Sequence, residues 1–300
     1  MTSQNIGVVV PVFNRAQSVL VTLESVAKQS RVPNRLVIVD DGSSDNSAEL
    51  VSRWILTQRR IPEVYLLRQE NRGVSAARNR GLALMTDCTY VAFLDSDDAW
   101  PEGFLKQTSK TLVANPDAVA VTCNRRSIDV DGTCHDDDLQ GLCEYPVHWI
   151  VRYGAGFASC TLIHAKSLSR IGGFREDLET GEDTALFLRL SLQGKWLHQP
   201  ELFVEYNRYR PHTLGEESPL SAKYADNHRR WSLVLEEFLE TEEGCGFARD
   251  PIVRKGLARF WYRAGRELAK HGSQLEAQEC FSQSLKWNAW NVKTWYKLAS

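Results

Sequence analysis

The sequence predicts an α/β protein with a mainly parallel, doubly covered sheet, followed by an all-α C-terminal region. Through the first hundred residues, apolar β-branched runs of strand length alternate with longer helix-patterned stretches, which is typical of βαβ units. From residue 222 onward the pattern is helical. The chain has 300 residues, of which 43% are hydrophobic and 25% charged, an ordinary globular composition.

The first hundred residues contain the clearest elements. Strands are predicted at Ile6–Val12, Leu36–Val39, Val64–Leu67 and Tyr90–Leu94, and helices at Ala16–Gln29, Asn46–Gln58 and Val74–Leu84. Open α/β sheets bind ligands at the carboxyl ends of their strands. The polar turns after the first, second and fourth strands are therefore the candidate ligand-binding segments.

The pattern is mixed after Trp100. We expect a helix at 104–114, a strand at 118–123, a polar loop at 129–140, a helix at 182–192 and an extended stretch at 196–209. The loop contains Cys134, His135 and three aspartates, but consecutive residues cannot all converge on one ion, and glycines flank them. We interpret it as a solvated acidic loop.

The expected division is a catalytic domain at residues 1–215 and a helical subdomain at 216–300. Trp261, Gly265, Ala277 and Phe281 match the spacing of a tetratricopeptide-like repeat, whose period of 34 residues also separates Trp261 from Trp295. A packed helical subdomain with this character is the interpretation, since one such repeat does not bury enough surface to stand alone. The tryptophans there are predicted to form helix-packing core, namely Trp287, Trp290 and Trp295.

Charge and cysteine content limit the possible partners and location. A net charge of -2 provides no broad positive field, which argues against a nucleic-acid partner. The seven cysteines contain no Cys-x-x-Cys pair, which favours a reducing, cytoplasmic setting. Neither a signal peptide nor a run of about 20 apolar residues is recognisable, so at most peripheral membrane contact is expected.

The most informative segment is the end of the fourth strand, where Asp95, Asp97 and Asp98 follow a buried-type run. In extended geometry Asp95 and Asp97 point the same way, which suits a hard divalent cation that is also bound to phosphate. An acidic turn that caps the next helix is the alternative.

Two other strand ends carry unusual residues. The first strand contains Pro11 and is followed by Phe13, which could stack on a base, and by Arg15. The second ends in Asp40 and Asp41, and a carboxylate there can accept from a base imino group or a ribose hydroxyl. Each segment alone is also explained as a strand, a turn and a helix cap.

Together these segments resemble glycosyltransferase family 2, whose members use nucleotide-activated sugars. The likeness covers residues 5 to about 215 and rests on Val8–Arg15, Val37–Asp45, Asn71–Gly81 and Phe93–Asp98. It implies a Rossmann-like A-type glycosyltransferase fold with a mixed, mainly parallel sheet. By the same likeness, Pro11, Phe13 and Asp41 line the base and Arg78 fixes the nucleotide and its phosphates, with Arg15 counted among the donor-binding residues. A solvated helix position is the alternative for Arg78.

The resemblance also implies a metal site and a general base. Asp97 is expected to bind the metal, Asp95 the ribose or the metal, and in some members the position of Asp98 contacts the ion. A Tyr-Arg-x-His element suggests that Arg210 and His212 reach the diphosphate or the metal. At the start of the helix at 182–192, Asp183 is expected to be the base that takes the acceptor proton, with Glu182 in acceptor binding; helix capping by negative charge is the alternative for both.

The implied activity is inverting, metal-dependent transfer of a sugar from a nucleotide-diphosphate sugar to an acceptor hydroxyl in glycan or polysaccharide synthesis. Mn²⁺ or Mg²⁺ is the expected cofactor. A uridine diphosphate sugar is the expected donor, with thymidine and guanosine diphosphates open. A glycan or a lipid-linked saccharide is the expected acceptor, with a protein acceptor open. A non-catalytic nucleotide-sugar binder or scaffold is the alternative. A dinucleotide-dependent oxidoreductase is disfavoured, because no Gly-x-Gly-x-x-Gly follows the first strand.

Overall fold

The computed structural model describes residues 4–128, 132–155, 157–206 and 226–299. The strands are β1 (Ile6–Val12), β2 (Arg35–Asp40), β3 (Glu63–Arg68), β4 (Tyr90–Phe93), β5 (Ala118–Ile128), β6 (Cys134–Asp137), β7 (Thr161–His164) and β8 (Lys195–Tyr206). The helices of the first two hundred residues are α1 (Val19–Ala27), α2 (Ser47–Thr57), α3 (Val74–Leu82), α4 (Phe104–Ala114), α5 (Gln140–Glu144), α6 (Pro146–Tyr153), α7 (Ala165–Arg170) and α8 (Glu182–Ser191). They are followed by α9 (Asn227–Glu240), α10 (Pro251–Lys270), α11 (Gln274–Trp287) and α12 (Val292–Ala299), and two short 3-10 helices lie at Ala158–Cys160 and Cys245–Phe247.

The described strands form one mixed sheet in the order β3-β2-β1-β4-β7-β5-β6, with β8 beside β5. Strands β1, β2, β3 and β4 are parallel, β7 is antiparallel to β4 and β5, and β8 is parallel to β5. The chain runs outward from β1 to β3 and then returns to the other side of β1 as β4. This reversal of strand order creates a crevice at the carboxyl ends of β1 and β4. The predicted α/β class is confirmed.

The central strands are buried on both faces. Every residue of β1 and β4 is buried, as the run of valines in β1 predicts for a sheet with helices on both sides. Pro11 is tolerated in β1 because the register with β4 ends at Val9, so the strand has only β2 as its neighbour from Val10 onward. Helix α1 begins at Val19 rather than at Ala16.

One element was predicted wrongly, because the segment at 129–140 is not entirely a loop. Residues Cys134–Asp137 form β6, which is exposed throughout and pairs antiparallel with β5. Two cross-strand ion pairs accompany this pairing: Arg125 Nε lies 2.7 Å from Asp137 Oδ2, and Arg126 Nε lies 2.6 Å from Asp136 Oδ1. A strand joined by charged pairs has no apolar alternation, so the hydrophobic pattern did not reveal it.

The chain forms two compact units. The first contains the described residues of Met1–Glu144, Phe157–Glu176 and Gln193–Glu217, and holds the whole sheet. The second contains the described residues of Tyr145–Gly156, Asp177–Leu192 and Ser218–Ser300, and is helical. The helical unit therefore includes α6 and α8 from within residues 1–215. The division into a catalytic domain and a helical subdomain stays a prediction.

A helical hairpin of α10 and α11 lies within the second unit. Asp250 caps α10, because its Oδ1 accepts from the backbone N–H groups of Ile252 and Val253 at 2.7 and 3.1 Å, and Pro251 follows at the first helical position. Trp261 is buried. Gly265 lets α11 approach closely, since a Cβ at this position would lie 2.6 Å from the ring of Phe281. The tetratricopeptide-like character of the hairpin remains a prediction.

The prediction that all three C-terminal tryptophans form helix-packing core was wrong for two of them. Trp287 is partly buried, and its indole N–H donates to Glu236 Oε1. Trp290 and Trp295 are exposed. Among the described helices, none is long and apolar enough to pass through a lipid bilayer.

We expect Gly265→Val to lower the free energy of unfolding by about 2 kcal/mol, because the added side chain overlaps Phe281 and the backbone of α11. Gly246→Val is the matched control, since a Cβ there meets no atom within 4 Å. Chemical denaturation of both variants gives the comparison. Equal stability of the two variants would contradict the close packing of α10 on α11.

Candidate functional site

The turn after β1 is joined to the turn after β2 by hydrogen bonds. Asn14 has a φ of 51°, a left-handed conformation that asparagine tolerates better than most residues. Its backbone N–H donates to Ser43 Oγ at 3.0 Å, and its Oδ1 accepts from the backbone N–H of Ser44 at 2.8 Å. The backbone N–H of Arg15 donates to Ser47 Oγ at 2.8 Å. The carboxyl ends of β1 and β2 therefore form one connected surface.

The three predicted donor-binding residues of this first turn differ in exposure. Pro11 is buried within β1, opposite Val39 of β2. Phe13 and Arg15 are partly exposed. Of the three, Phe13 and Arg15 thus have side-chain surface available to a ligand at this edge of the sheet.

Asp41 is buried and holds the loop that precedes α3. Its Oδ1 accepts from Gln69 Nε2 at 2.7 Å and from the backbone N–H of Arg72 at 2.9 Å, and its Oδ2 accepts from the backbone N–H of Gly73 at 2.9 Å. Gly42 makes the tight turn possible with a φ of 78°, and a Cβ there would lie 2.9 Å from the backbone of Asn71. This carboxylate therefore fixes the loop leading to Arg78; its role in lining the base stays a prediction.

Arg78 is paired with Asp95 across the crevice between α3 and β4. The Arg78 side chain is 3% exposed, and its Nη2 lies 2.7 Å from Asp95 Oδ1. The guanidinium carbon also lies 4.9 Å from the centroid of the Phe174 ring, within cation–π distance. Arg78 is therefore a buried helix residue, and the alternative of a solvated position is wrong.

A second arginine–aspartate pair lies at the same strand end. Arg15 Nε is 3.6 Å from Asp97 Oδ2, and the two side chains are 14% and 29% exposed. The distance exceeds that of a hydrogen bond. The structure thus brings together four predicted site residues from three segments of the chain: Arg15, Arg78, Asp95 and Asp97.

Asp98 differs from its two neighbours because it is buried. Burial raises the pKa of Asp98 well above its ordinary value, and the nearby charges of Asp97 and Asp95 raise it further. A hydrogen bond with Ser159 opposes this shift. The hydroxyl of Ser159 also accepts from the backbone N–H of Asp95 at 3.1 Å, so one serine contacts both ends of the acidic segment.

The donor chemistry of this strand end fits Mn²⁺ or Mg²⁺. No group of three His, Cys, Asp or Glu side chains with metal-binding geometry occurs in the described part of the chain. Mg²⁺, however, is usually held by one or two carboxylates while substrate phosphates and water complete its shell. Asp95 and Asp97 provide two partly exposed carboxylates two positions apart.

Glu182 and Asp183 belong to the helical unit and begin α8. Gly181, which precedes them, has a φ of 86° and allows the sharp entry into the helix. Glu182 is buried and Asp183 is partly exposed. Both lie in the first helical turn, where the helix dipole favours a negative charge.

Two predicted residues, Arg210 and His212, lie outside the described residues. Conversely, sequence reasoning missed Ser159, Phe174 and Gln69, which contact Asp95, Arg78 and Asp41. Ser159 lies in a 3-10 helix without a recognisable pattern, and nothing in the sequence places it beside the acidic strand end. Ser159 reaches the acidic end of β4 because it directly precedes β7 in the chain, and β7 pairs with β4.

We expect Asp41→Asn to lower the free energy of unfolding by about 1–3 kcal/mol, because an amide cannot accept all three hydrogen bonds that the carboxylate receives. Asp117→Asn, at an exposed position of the same unit, is the control and is expected to change stability by less than about 0.5 kcal/mol. Chemical denaturation measures both. An Asp41→Asn variant with an unchanged free energy of unfolding would show that Asp41 does not hold the loop.

Solved structures with a similar fold include complexes with nucleotide sugars. The crystal structure of residues 1–349 of Staphylococcus aureus TarS in complex with UDP-GlcNAc superposes with a TM-score of 0.63 at 17% identity, covering 95% of this chain and 89% of that one. The mannosyltransferase PcManGT from Pyrobaculum calidifontis, in complex with GDP-Man and Mn²⁺, gives a TM-score of 0.64 at 19% identity, covering 99% and 86%. The expected A-type glycosyltransferase fold is confirmed.

Sequence comparison identifies the family. The uncharacterized glycosyltransferase YibD of Escherichia coli is 35% identical over 126 residues, which are 41% of this chain and 35% of that protein. The chain spans 26–41% of the length of three curated relatives that it matches. The model of "Glycosyl transferase family 2" matches residues 7–165, which include Arg15, Asp41, Arg78 and the acidic end of β4. The chain therefore belongs to glycosyl transferase family 2.

Proposed function

We propose that this chain transfers a sugar from a nucleotide-diphosphate sugar to an acceptor hydroxyl, with a divalent cation and with inversion at the anomeric carbon. The observation that carries the proposal is the pairing of Arg78 with Asp95 and of Arg15 with Asp97 at the carboxyl end of β4. Cationic side chains bind the oxygens of a diphosphate, and carboxylates bind the metal ion that accompanies it. This strand end offers both within one crevice.

The two arginines would act differently on the donor. Arg78 is buried between Asp95 and the Phe174 ring, so it is preorganised and keeps Asp95 in place while adding positive charge. Arg15 is more exposed, and its Nε lies 3.6 Å from Asp97 Oδ2. Its guanidinium is proposed to contact a phosphate oxygen, whose geometry it matches.

Asp95 and Asp97 would hold Mn²⁺ or Mg²⁺, with Asp98 and His212 as further proposed ligands. When bound, the cation would offset the negative charge that develops on the diphosphate as the nucleotide leaves. The presence of Mn²⁺ in the PcManGT complex supports this choice of metal. Arg210 is proposed to contact the diphosphate.

Asp183 is proposed as the general base. It is partly exposed, unlike the buried Glu182, and the first turn of α8 stabilises its ionised form. An ionised carboxylate can take the proton from the acceptor hydroxyl as that oxygen attacks the anomeric carbon. Glu182 is proposed to contribute to acceptor binding.

The donor is proposed to be a uridine diphosphate sugar, with Phe13 and Asp41 near the base. The UDP-GlcNAc in the TarS complex supports uridine, whereas the GDP-Man in the PcManGT complex keeps guanosine as the second candidate. The acceptor would be a glycan or a lipid-linked saccharide, in the synthesis of a glycan or polysaccharide.

The proposed location is the cytoplasm, with peripheral membrane contact. All seven cysteines are free, and they include the buried pair Cys123 and Cys160, which share a hydrogen bond without a disulfide. Free, adjacent thiols are typical of a reducing compartment. The catalytic residues are proposed to come from residues 1–215.

We expect Asp97→Asn to reduce kcat about 100-fold or more, because the proposed metal loses a carboxylate ligand. Asp183→Asn should reduce kcat about 100-fold or more, because the proposed base is lost. Asp117→Asn is the exposed matched control. The assay follows labelled sugar from UDP-GlcNAc and GDP-mannose, with Mn²⁺, into product.

A thermal shift of the wild-type chain with these donors, but no turnover, would point instead to a nucleotide-sugar binder. Full activity of both the Asp97→Asn and the Asp183→Asn variant would refute the assigned roles.

We expect Ser159→Ala to reduce kcat/KM about 10- to 100-fold by loosening Asp95 and Asp98, which the hydroxyl contacts. Ser25→Ala is the matched control: its hydroxyl accepts from the backbone N–H of Trp100 at 3.1 Å and so supports the same loop without contacting the aspartates. The Mn²⁺ concentration for half-maximal activity is the decisive readout. This Mn²⁺ concentration should rise in Ser159→Ala and stay unchanged in Ser25→Ala. An equal rise in both variants would contradict a specific role for Ser159.

A further inference from the structure

Helix α12 presents two different faces. Thr294 is fully buried and Leu298 is partly buried, whereas Val292, Trp295 and Tyr296 are 77%, 56% and 71% exposed. The exposed residues are spaced three and four positions apart, so they share one side of the helix. Large apolar and aromatic side chains thus form a continuous exposed stripe.

The buried face is fixed to the hairpin that precedes it. Ser284 Oγ lies 3.2 Å from Thr294 Oγ1, accepts from Asn291 Nδ2 at 3.3 Å and donates to the carbonyl of Ala258 at 2.7 Å. The indole N–H of Trp295 donates to the carbonyl of Ala289 at 2.8 Å. These bonds orient α12, so its aromatic side points away from α11.

Trp290 and two lysines are exposed near the stripe along the chain. Trp290, just before α12, is 91% exposed, and Lys293 and Lys297 are exposed positions of α12 that follow Val292 and Tyr296. We call this patch the aromatic–lysine surface; it consists of Trp290, Val292, Lys293, Trp295, Tyr296 and Lys297.

The chain segment that carries this surface has no acidic residue. Residues 280–300 contain Lys286, Lys293 and Lys297 but no aspartate or glutamate, although the whole chain has a net charge of -2. A cationic segment on a slightly acidic protein is complementary to an anionic partner.

We propose that the aromatic–lysine surface binds the anionic surface of a lipid bilayer. Trp and Tyr are the side chains that favour the membrane–water interface, and lysines beside them attract anionic headgroups. The surface would lie on the membrane without crossing it, as short helices with one apolar and one basic side do.

Two other occupants fit less well. The cores of protein–protein interfaces are depleted in lysine, whereas the exposed Lys293 and Lys297 lie on the side of α12 next to the stripe. A second copy related by twofold symmetry would bring the same lysines together, without a carboxylate in residues 280–300 to compensate them. An anionic bilayer satisfies the aromatic and the basic groups simultaneously.

The test is sedimentation of the full chain with vesicles of phosphatidylcholine, alone or mixed with phosphatidylglycerol. We expect the anionic vesicles to bind the chain about tenfold more strongly and high salt to remove the difference, because the lysine contribution is electrostatic. The double variants Trp295→Ser/Tyr296→Ser and Lys293→Glu/Lys297→Glu should both bind anionic vesicles no more than neutral ones. Leu275→Ser, at an exposed position on α11 outside the surface, is the control and should bind as wild type.

Equal binding to both vesicle types, no binding to either, or unchanged binding of the double variants would overturn the proposal. A wild-type dimer in analytical ultracentrifugation that Trp295→Ser/Tyr296→Ser converts to a monomer would also overturn it, because a second copy would then cover the surface. Unchanged thermal unfolding of the double variants would confirm that lost binding does not reflect lost folding.

Discussion

The site depends on how the protein compensates like charges at the end of β4. Asp95, Asp97 and Asp98 lie within four positions, and their mutual repulsion would oppose folding if nothing balanced it. Arg78 and Arg15 each pair with one of the two more exposed carboxylates, and Ser159 supports the buried Asp98, whose pKa is raised by burial. The three carboxylates are thereby held at the strand end where a cation and a diphosphate are proposed to bind.

The fold brings this compensation about through strand order rather than through neighbours in the sequence. Because β1 lies between β2 and β4, the turns carrying Arg15, Asp41 and the acidic segment share one edge of the sheet. Asp41 then connects β2 to the loop that precedes α3, and α3 supplies Arg78. Arg15 and Arg78 are thus each positioned by a segment that is hydrogen-bonded to the turn after β2.

The sequence predicted the strands that form the edge of the site, since their buried apolar runs and polar ends are local features. The sequence also identifies Arg15, Arg78, Asp95 and Asp97 as candidate site residues, although not their pairing. Ser159 and Phe174 could not be identified, because each acts through a contact with a residue more than sixty positions away. Strand β6 escaped detection because ion pairs rather than apolar alternation accompany its pairing, and the exposure of Trp290 and Trp295 was missed because aromatic residues in helices usually pack inward.

The most direct test of the central claim is anomalous diffraction from a crystal soaked with Mn²⁺ and uridine diphosphate. The account predicts a manganese peak at about 2.1 Å from carboxylate oxygens of Asp95 or Asp97, with the diphosphate on its other side and Arg15 turned toward a phosphate. A bound nucleotide without manganese at this strand end, or with Asp95 and Asp97 directed away from the diphosphate, would contradict it.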